Sequence, residues 1–289
     1  MEKGELINEG KTKKIYAVQG NADEAIIEYK NAITAFDDPS FTKEFSTKAK
    51  HSTTTTSRVF ELLNAAGVPT SYLRQLGETE FLAKSCRMIP LEVVVRRYAV
   101  GSYLKRHPEF VKAEGEEPHR FDPPVVEFFL KTTRGELKDE EGTVVEGLDP
   151  KEGEEDPFIP NPHDAVWKLA HPKKMDNEEG SDLGHTVESQ RVLRGGTITE
   201  MEDAIVKTLV TLEKFFATND FKLIDFKIEF GQTTDGKIVI ADVIDNDSWR
   251  LRDQNWNDVS KQSFRDGGDL SEIEDKYALV AALMETAKT

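Results

Sequence analysis

Cysteine is nearly absent from this sequence. Its 289 residues include one cysteine, Cys86, which excludes an internal disulfide and a metal site built from several thiolates. Long apolar runs are also missing, because no stretch approaches the roughly 20 residues of a membrane-spanning helix. The first residues lack the apolar segment of a signal peptide. We therefore expect a cytoplasmic protein that does not bind membranes.

A surplus of positive charge is missing as well. Lys and Arg number 38 against 54 Asp and Glu, which gives a net charge of −16. This balance argues against general affinity for nucleic acid.

The length suffices for one large domain or two lobes. An acidic protein binds anions where basic residues cluster locally, so the positions of the lysines and arginines are informative. Self-association into a homo-oligomer is left open.

Residue periodicity predicts an α+β chain with antiparallel strands. The expected elements are strands at 5–10, 13–18, 25–30, 81–86 and 92–97, a helix at 47–66 and helical turns at 102–107. Gly67, with Pro69 just beyond, is expected to end the helix. Thr199 with Glu202 and Ser271 with Glu274 fit capping boxes that would begin two later helices. Periodicity predicts the apolar faces of these helices, at Ile205, Leu209, Leu212 and Phe216 and at Ile273, Tyr277, Val280 and Met284. Residues 135–156, which hold ten acids, are expected to be a solvated excursion or a hairpin. Residues 163–184 show little periodicity.

Acidic residues flank a turn signal in IDFKIEFGQTTDGKIVIADVIDND, residues 224–247. Alternation places Asp225, Lys227 and Glu229 on one face of a strand. A solvent-facing strand would show the same pattern. If Asp235-Gly236 is a two-residue turn, Glu229 lies opposite Asp242.

Two opposed carboxylates destabilise a sheet, whereas Mg²⁺ commonly binds one or two carboxylates together with water and substrate phosphates. This register therefore predicts a magnesium site at Glu229 and Asp242. A four-residue loop would instead pair Glu229 with Ile240. Asp245 and Asp247 are interpreted as turn or supporting residues.

Two segments are candidate anion sites. Lys11 and Lys13 follow Gly10, where the backbone can approach a ligand closely and lysines supply charge for phosphates; an ordinary basic hairpin is the alternative. Arg96 ends an apolar strand and precedes Ser102, which begins a short helix. These residues indicate a phosphate-handling enzyme that uses ATP and Mg²⁺, without identifying the second substrate.

The motifs GKTKKIY, VVVRRYAVGS, FFLK, IDFKIEFG, ADVIDNDSWRL and KQSFRD occur in this order. In this respect the sequence resembles the SAICAR synthetase (phosphoribosylaminoimidazole-succinocarboxamide synthase) family, except at 132–155 and 163–195. The resemblance implies an ATP-grasp-like pair of α+β lobes, with antiparallel sheets and flanking helices. We place the lobes at 1–90 and 91–289, with an acidic insertion near 132–155.

The resemblance also implies a reaction of de novo purine biosynthesis. ATP, carboxylated aminoimidazole ribotide (CAIR) and L-aspartate would give the succinocarboxamide SAICAR, ADP and phosphate, through an acyl phosphate. Another ATP- and magnesium-dependent ligase or kinase of the same fold is one alternative, and a noncatalytic ATP-binding module is another. The sequence departs from the family pattern near Ala49, Tyr98 and Trp249.

Site residues follow from the same resemblance. Lys11 and Lys13 match ATP-phosphate lysines, Lys131 matches a lysine near the nucleotide, and Glu229 and Asp242 match the Mg²⁺ ligands, with Glu229 also at the nucleotide. Arg96, Ser102 and Arg250 match positions that hold the CAIR phosphate. Lys227 and Asp225 match catalytic polar residues near the ribotide. Asp37 and Lys48 match loop residues near CAIR and aspartate.

Overall fold

A computed structural model of the chain describes residues 2–34, 42–148, 156–261 and 269–287. Asp37 and most of the KQSFRD stretch lie outside these ranges. The chain groups into two compact units. The first comprises Met1–Arg87, Lys207–Leu223 and Gly231–Thr289, and the second comprises Met88–Val206 and Ile224–Phe230. The lobes expected from the sequence meet at residue 90, whereas in the structure Gly231–Thr289 group with the N-terminal residues.

An antiparallel five-stranded sheet is the main feature of the first unit. In spatial order its strands are β1 (Lys3–Glu9), β2 (Lys13–Val18), β3 (Asn21–Tyr29), β7 (Glu80–Lys84) and β6 (Tyr72–Gln75). Short strands follow at β4 (Ala32–Thr34), β5 (Thr42–Glu44), β15 (Ile238–Ile240) and β16 (Trp249–Arg252). Ile15 pairs with Ile27 in the β2–β3 register. The β-branched side chains of these strands suit a pleated, half-buried surface.

Helix α1 (Lys48–Ala65) packs on this sheet. Phe60 of α1 lies 5.8 Å from Tyr72 and 6.4 Å from Phe81, measured between ring centroids. The helix ends where the sequence predicts. Gly67 has φ +73°, its N–H donates to the Asn64 carbonyl, and the Val68 N–H donates to the Leu63 carbonyl. This Schellman arrangement satisfies the last helical carbonyls and favours glycine.

Two further helices confirm the predicted apolar faces but not the predicted caps. Helix α4 (Ile198–Ala217) and helix α5 (Leu270–Glu285) bury their expected residues, namely Ile205, Leu209, Leu212, Phe216, Ile273, Tyr277, Val280 and Met284. The capping boxes were assigned wrongly. Thr197 and Glu200 form the first, two residues earlier than predicted. Asp269 caps α5 by accepting from the Ser271 N–H at 2.8 Å.

The second unit contains long antiparallel strands. Its elements are β8 (Cys86–Tyr98), α2 (Ser102–Arg106), a 3₁₀ turn (Pro108–Phe110), β9 (Arg120–Leu130), β10 (Leu137–Asp139), β11 (Gly142–Val145), β12 (Val166–Ala170), β13 (Asp182–Glu188) and α3 (Ser189–Leu193). Strand β14 (Lys222–Thr233) supplies residues 224–230 and neighbours β8, which neighbours β9. Residues 137–145 of the acidic segment form the β10–β11 hairpin, which is one of the two structures expected there. The β12–β13 hairpin was not predicted.

The antiparallel sheets and few helices confirm the α+β class. None of the helices in the described ranges has the length and apolar character needed to cross a membrane.

Candidate functional site

The basic segment after β1 forms a tight connection in the first unit. The Gly10 N–H donates to the Lys13 carbonyl at 2.9 Å, and Lys30 Nζ donates to the Gly10 carbonyl at 3.1 Å. Lys11 lies exposed in this connection, and Lys13 is the first residue of β2. The turn therefore presents lysines beside a glycine, as the sequence predicts.

Lys13 contacts a predicted metal ligand of the same unit. Its Nζ forms an ion pair with Asp242 Oδ1, and both side chains remain partly exposed, at 21% and 30%. Asp242 lies two residues beyond the end of β15. A residue predicted to bind phosphate and a residue predicted to bind magnesium thus lie together.

A more deeply buried ionic cluster surrounds Asp247. Lys48 is fully buried, with its Nζ 3.2 Å from Asp247 Oδ2, and Lys261 Nζ lies 3.5 Å from Oδ1. The Tyr277 hydroxyl also donates to Asp247. Burial opposes ionisation of Asp247, but Lys48 and Lys261 outweigh it and hold its pKa well below the usual range. Asp245 is different, since burial and the Asp247 charge raise its pKa.

This cluster was only partly foreseen. The sequence points to Lys48 and suggests a turn or supporting role for Asp247, but it does not single out Lys261. No local pattern indicates that these residues meet, because Lys48 begins α1 and Lys261 is far along the chain. Asp37 lies outside the described residues. Arg250 lies in β16 and is partly buried.

In the second unit the structure brings together Arg96, Asp225 and Ser102. Arg96 is 3% exposed. Its Nη1 donates to Asp225 Oδ2 at 2.6 Å, and its Nη2 donates to Ser102 Oγ at 3.3 Å. Burial disfavours the charged guanidinium, but Glu127 and Asp225 outweigh it and raise the pKa of Arg96. The sequence predicts Arg96, Ser102 and Asp225 at the ribotide but gives no signal for Glu127.

Two lysine–carboxylate pairs accompany these residues in the second unit. Lys227 contacts Glu92, and Lys131 contacts Glu229. Near them, Asp156 accepts from the Thr132 N–H at 2.9 Å. Burial, with the nearby charge of Glu92, raises the pKa of Asp156 to about 7. As in the first unit, a predicted nucleotide lysine is paired with a predicted metal ligand.

The hairpin turn differs from the prediction. The Thr233 N–H donates to the Lys237 carbonyl at 3.0 Å, and the Gly236 N–H donates to the Thr233 carbonyl at 2.9 Å. The loop is therefore Thr234–Asp235–Gly236, three residues instead of two, with Gly236 at φ +81°. This shifts the pairing by one residue and removes the register argument for opposing Glu229 and Asp242. These residues belong to different units, so their joint role in binding magnesium stays a prediction.

The donor chemistry nevertheless suits magnesium. Both predicted ligands are carboxylates, the oxygen donors that Mg²⁺ prefers, and each already neutralises a cationic lysine. Within the described residues no group of three or more His, Cys, Asp or Glu is placed to hold a metal. At each of these carboxylates, substrate phosphates and water would have to supply the other ligands.

Known proteins provide an independent comparison. A family model described as SAICAR synthetase matches residues 6–146 and 173–282. The chain is 36% identical over 294 residues to phosphoribosylaminoimidazole-succinocarboxamide synthase of Chloroflexus aurantiacus, covering 98% of this chain and 97% of that protein.

Two solved structures are similar in fold. A crystal structure of phosphoribosylaminoimidazole-succinocarboxamide synthase from Ehrlichia chaffeensis has a TM-score of 0.72 at 24% identity, covering 99% of this chain and 100% of that chain. A SAICAR synthetase in complex with ADP has a TM-score of 0.70 at 26% identity and covers 99% of each chain.

Proposed function

Because the chain belongs to the SAICAR synthetase family, we propose that it is an ATP-dependent ligase of de novo purine biosynthesis. It joins L-aspartate to the carboxylate of CAIR and forms SAICAR, ADP and phosphate. It acts in the cytoplasm on small-molecule substrates. The ADP complex of a related SAICAR synthetase supports the nucleotide assignment.

One structural observation supports phosphoryl transfer from ATP. In each unit a lysine expected at the nucleotide phosphates is ion-paired with a carboxylate expected to bind magnesium, as Lys13 with Asp242 and Lys131 with Glu229. Phosphoryl transfer depends mainly on positioning and on neutralising phosphate charge. On nucleotide binding, the lysines would turn toward phosphate oxygens and leave the carboxylates to a cation. Bound Mg²⁺ would offset charge on the transferred phosphate.

The proposal also covers the nucleotide site, the intermediate and the substrate contacts. We place the nucleotide within an ATP-grasp-like two-lobed fold, with Lys11 beside Lys13 at its phosphates. An acyl phosphate on the CAIR carboxylate would make the carboxyl carbon electrophilic toward the aspartate amine. Proposed ribotide contacts are Arg96, Ser102 and Arg250 at the phosphate, with Lys227 and Asp225 nearby. Asp37 and Lys48, the first residue of α1, are proposed on the CAIR and aspartate side.

A direct assay tests the function. Purified protein is incubated with ATP, Mg²⁺, CAIR and L-aspartate while SAICAR absorbance and ADP are followed. We expect SAICAR to form only when aspartate is present. No aspartate-dependent product would refute the ligase assignment, and ADP release with CAIR alone would favour a kinase.

The metal assignment predicts a large loss of activity in Glu229→Gln and in Asp242→Asn. Removing one carboxylate from a magnesium site weakens neutralisation of transition-state charge, so we expect a loss of roughly 100-fold or more in kcat. Asp235→Asn removes a carboxylate from the exposed hairpin loop and serves as the matched control, with activity retained. Circular dichroism checks folding. Near-normal turnover in both site variants would exclude them as metal ligands.

A further inference from the structure

The orientation of Arg96 is fixed by two carboxylates in the second unit. Its Nε donates to Glu127 Oε2 at 2.6 Å, and its Nη1 donates to Asp225 Oδ2 at 2.6 Å. A guanidinium is planar and rigid, so holding these two nitrogens sets the direction of the third. That third nitrogen, Nη2, faces Ser102 Oγ at 3.3 Å.

Glu127 is itself held by a second arginine. Its Oε1 accepts from Arg106 Nη2, while Arg106 Nη1 donates to the Pro172 carbonyl. The Arg106 guanidinium lies over the Phe158 ring, 4.4 Å from the centroid. Glu127 is 5% exposed and Arg106 is 6% exposed. Both oxygens of Glu127 are therefore engaged, which prevents its rotation away from Arg96.

Charge gives Arg106 a second role. Arg96, Arg106, Glu127 and Asp225 form a connected cluster with two formal charges of each sign. Without Arg106, two carboxylates would outnumber the single arginine beside Ser102. A phosphate dianion would then meet a net negative group, and buried charges of like sign repel strongly.

We propose that Glu127 and Arg106 are positioning residues for the ribotide phosphate. They fix Arg96 so that its Nη2 and the Ser102 hydroxyl meet the phosphate together, and they do not touch the substrate themselves. This inference rests on the proposed function, because that function supplies the ribotide. It adds a mechanism of phosphate selectivity that depends on two residues outside the predicted site.

Glu127→Gln is the principal variant. In the carboxylate each arginine donates to a different oxygen. Glutamine replaces one of these oxygens with an NH2 donor, so one arginine loses its acceptor and the fixed orientation of Arg96 is weakened. The measurement compares kcat/KM for CAIR with kcat/KM for the riboside that lacks its 5′-phosphate. We expect the preference for CAIR over the riboside to fall roughly 100-fold, with the KM for ATP unchanged. Glu136→Gln removes an equal charge from an exposed pair with Lys138 and should keep the preference.

Binding provides a readout independent of turnover. Ribose 5-phosphate, titrated calorimetrically, should bind the wild-type protein and bind Glu127→Gln more weakly. Because this variant makes the cluster more positive, weaker binding would report the lost orientation of Arg96 and not a change in charge. Arg106→Lys keeps the cluster charge but loses the fork that engages Glu127 and Pro172, so it should show the same direction of change.

The outcomes separate the two proposals. A wild-type protein that makes no SAICAR refutes the proposed function, while selective loss of ribose 5-phosphate binding in Glu127→Gln would still support the phosphate site. An equal fall in turnover of CAIR and the riboside would overturn the positioning role in favour of a general structural one. Failure of both Glu127→Gln and Arg106→Lys to fold would overturn it in the same way.

Discussion

At the scale of single residues, two acids of one turn, Asp245 and Asp247, have opposite roles in stability. Asp247 faces Lys48 and Lys261, so Asp247→Asn leaves buried positive charge without its partner. We expect the free energy of unfolding to fall by about 3 kcal/mol at neutral pH. Asp245→Asn removes a buried carboxylate whose pKa is raised, so stability should be retained or increased. Chemical denaturation of both variants provides the measurement, and equal destabilisation would contradict this difference.

The contrast also shows what residue types alone can predict. The family resemblance selects Lys48, whereas nothing in the sequence marks Asp247 or Glu127 as the centre of an ionic cluster. Aspartate in a DND turn has an adequate local explanation, and glutamate in VVEFFL looks like one polar residue in an apolar strand. Their partners come from distant segments, so their roles depend on the tertiary fold.

At the scale of elements, the start of α4 can be tested through its cap. Thr197 Oγ1 accepts from the Glu200 N–H at 3.2 Å, and Glu200 Oε2 accepts from the Thr197 N–H at 3.0 Å. Thr197→Ala should lower the free energy of unfolding by about 1 kcal/mol. Thr199→Ala is the matched control and should have a smaller effect, since it lies inside the helix. A larger loss for Thr199→Ala would contradict the observed cap.

Boundary errors at this scale have a common cause. TITEME contains two overlapping capping-box registers, and DG suits both a two-residue turn and a three-residue loop with glycine at positive φ. The sequence therefore predicted that the helix and hairpin exist but not their registers. The end of α1 was predictable because Gly67 and Pro69 allow one arrangement. Apolar faces were also predictable, since each depends on many residues and tolerates a small shift of the boundary.

At the scale of the whole molecule, the free energy of unfolding reflects every group whose pKa changes on folding. Asp156 has a pKa raised to about 7 in the folded protein, against about 3.9 for an unperturbed aspartate. The folded state therefore retains a proton that the unfolded chain has released between these values. Below about pH 4 both states are protonated, and Asp156 makes its full contribution to the free energy of unfolding. This contribution is lost as pH rises toward 7, because the unfolded chain releases the proton first.

Asp156→Asn should remove this dependence. Asparagine keeps an oxygen that can accept from the Thr132 N–H and has no charge to bury. We expect the variant to be more stable than the wild-type protein above about pH 7, with the difference closing as pH falls toward 4. Urea denaturation of both proteins across this range measures the gap. A constant gap would mean that Asp156 titrates normally, and a gap that widens on acidification would mean that its carboxylate is stabilised by Lys131 and Lys227 more than burial opposes it.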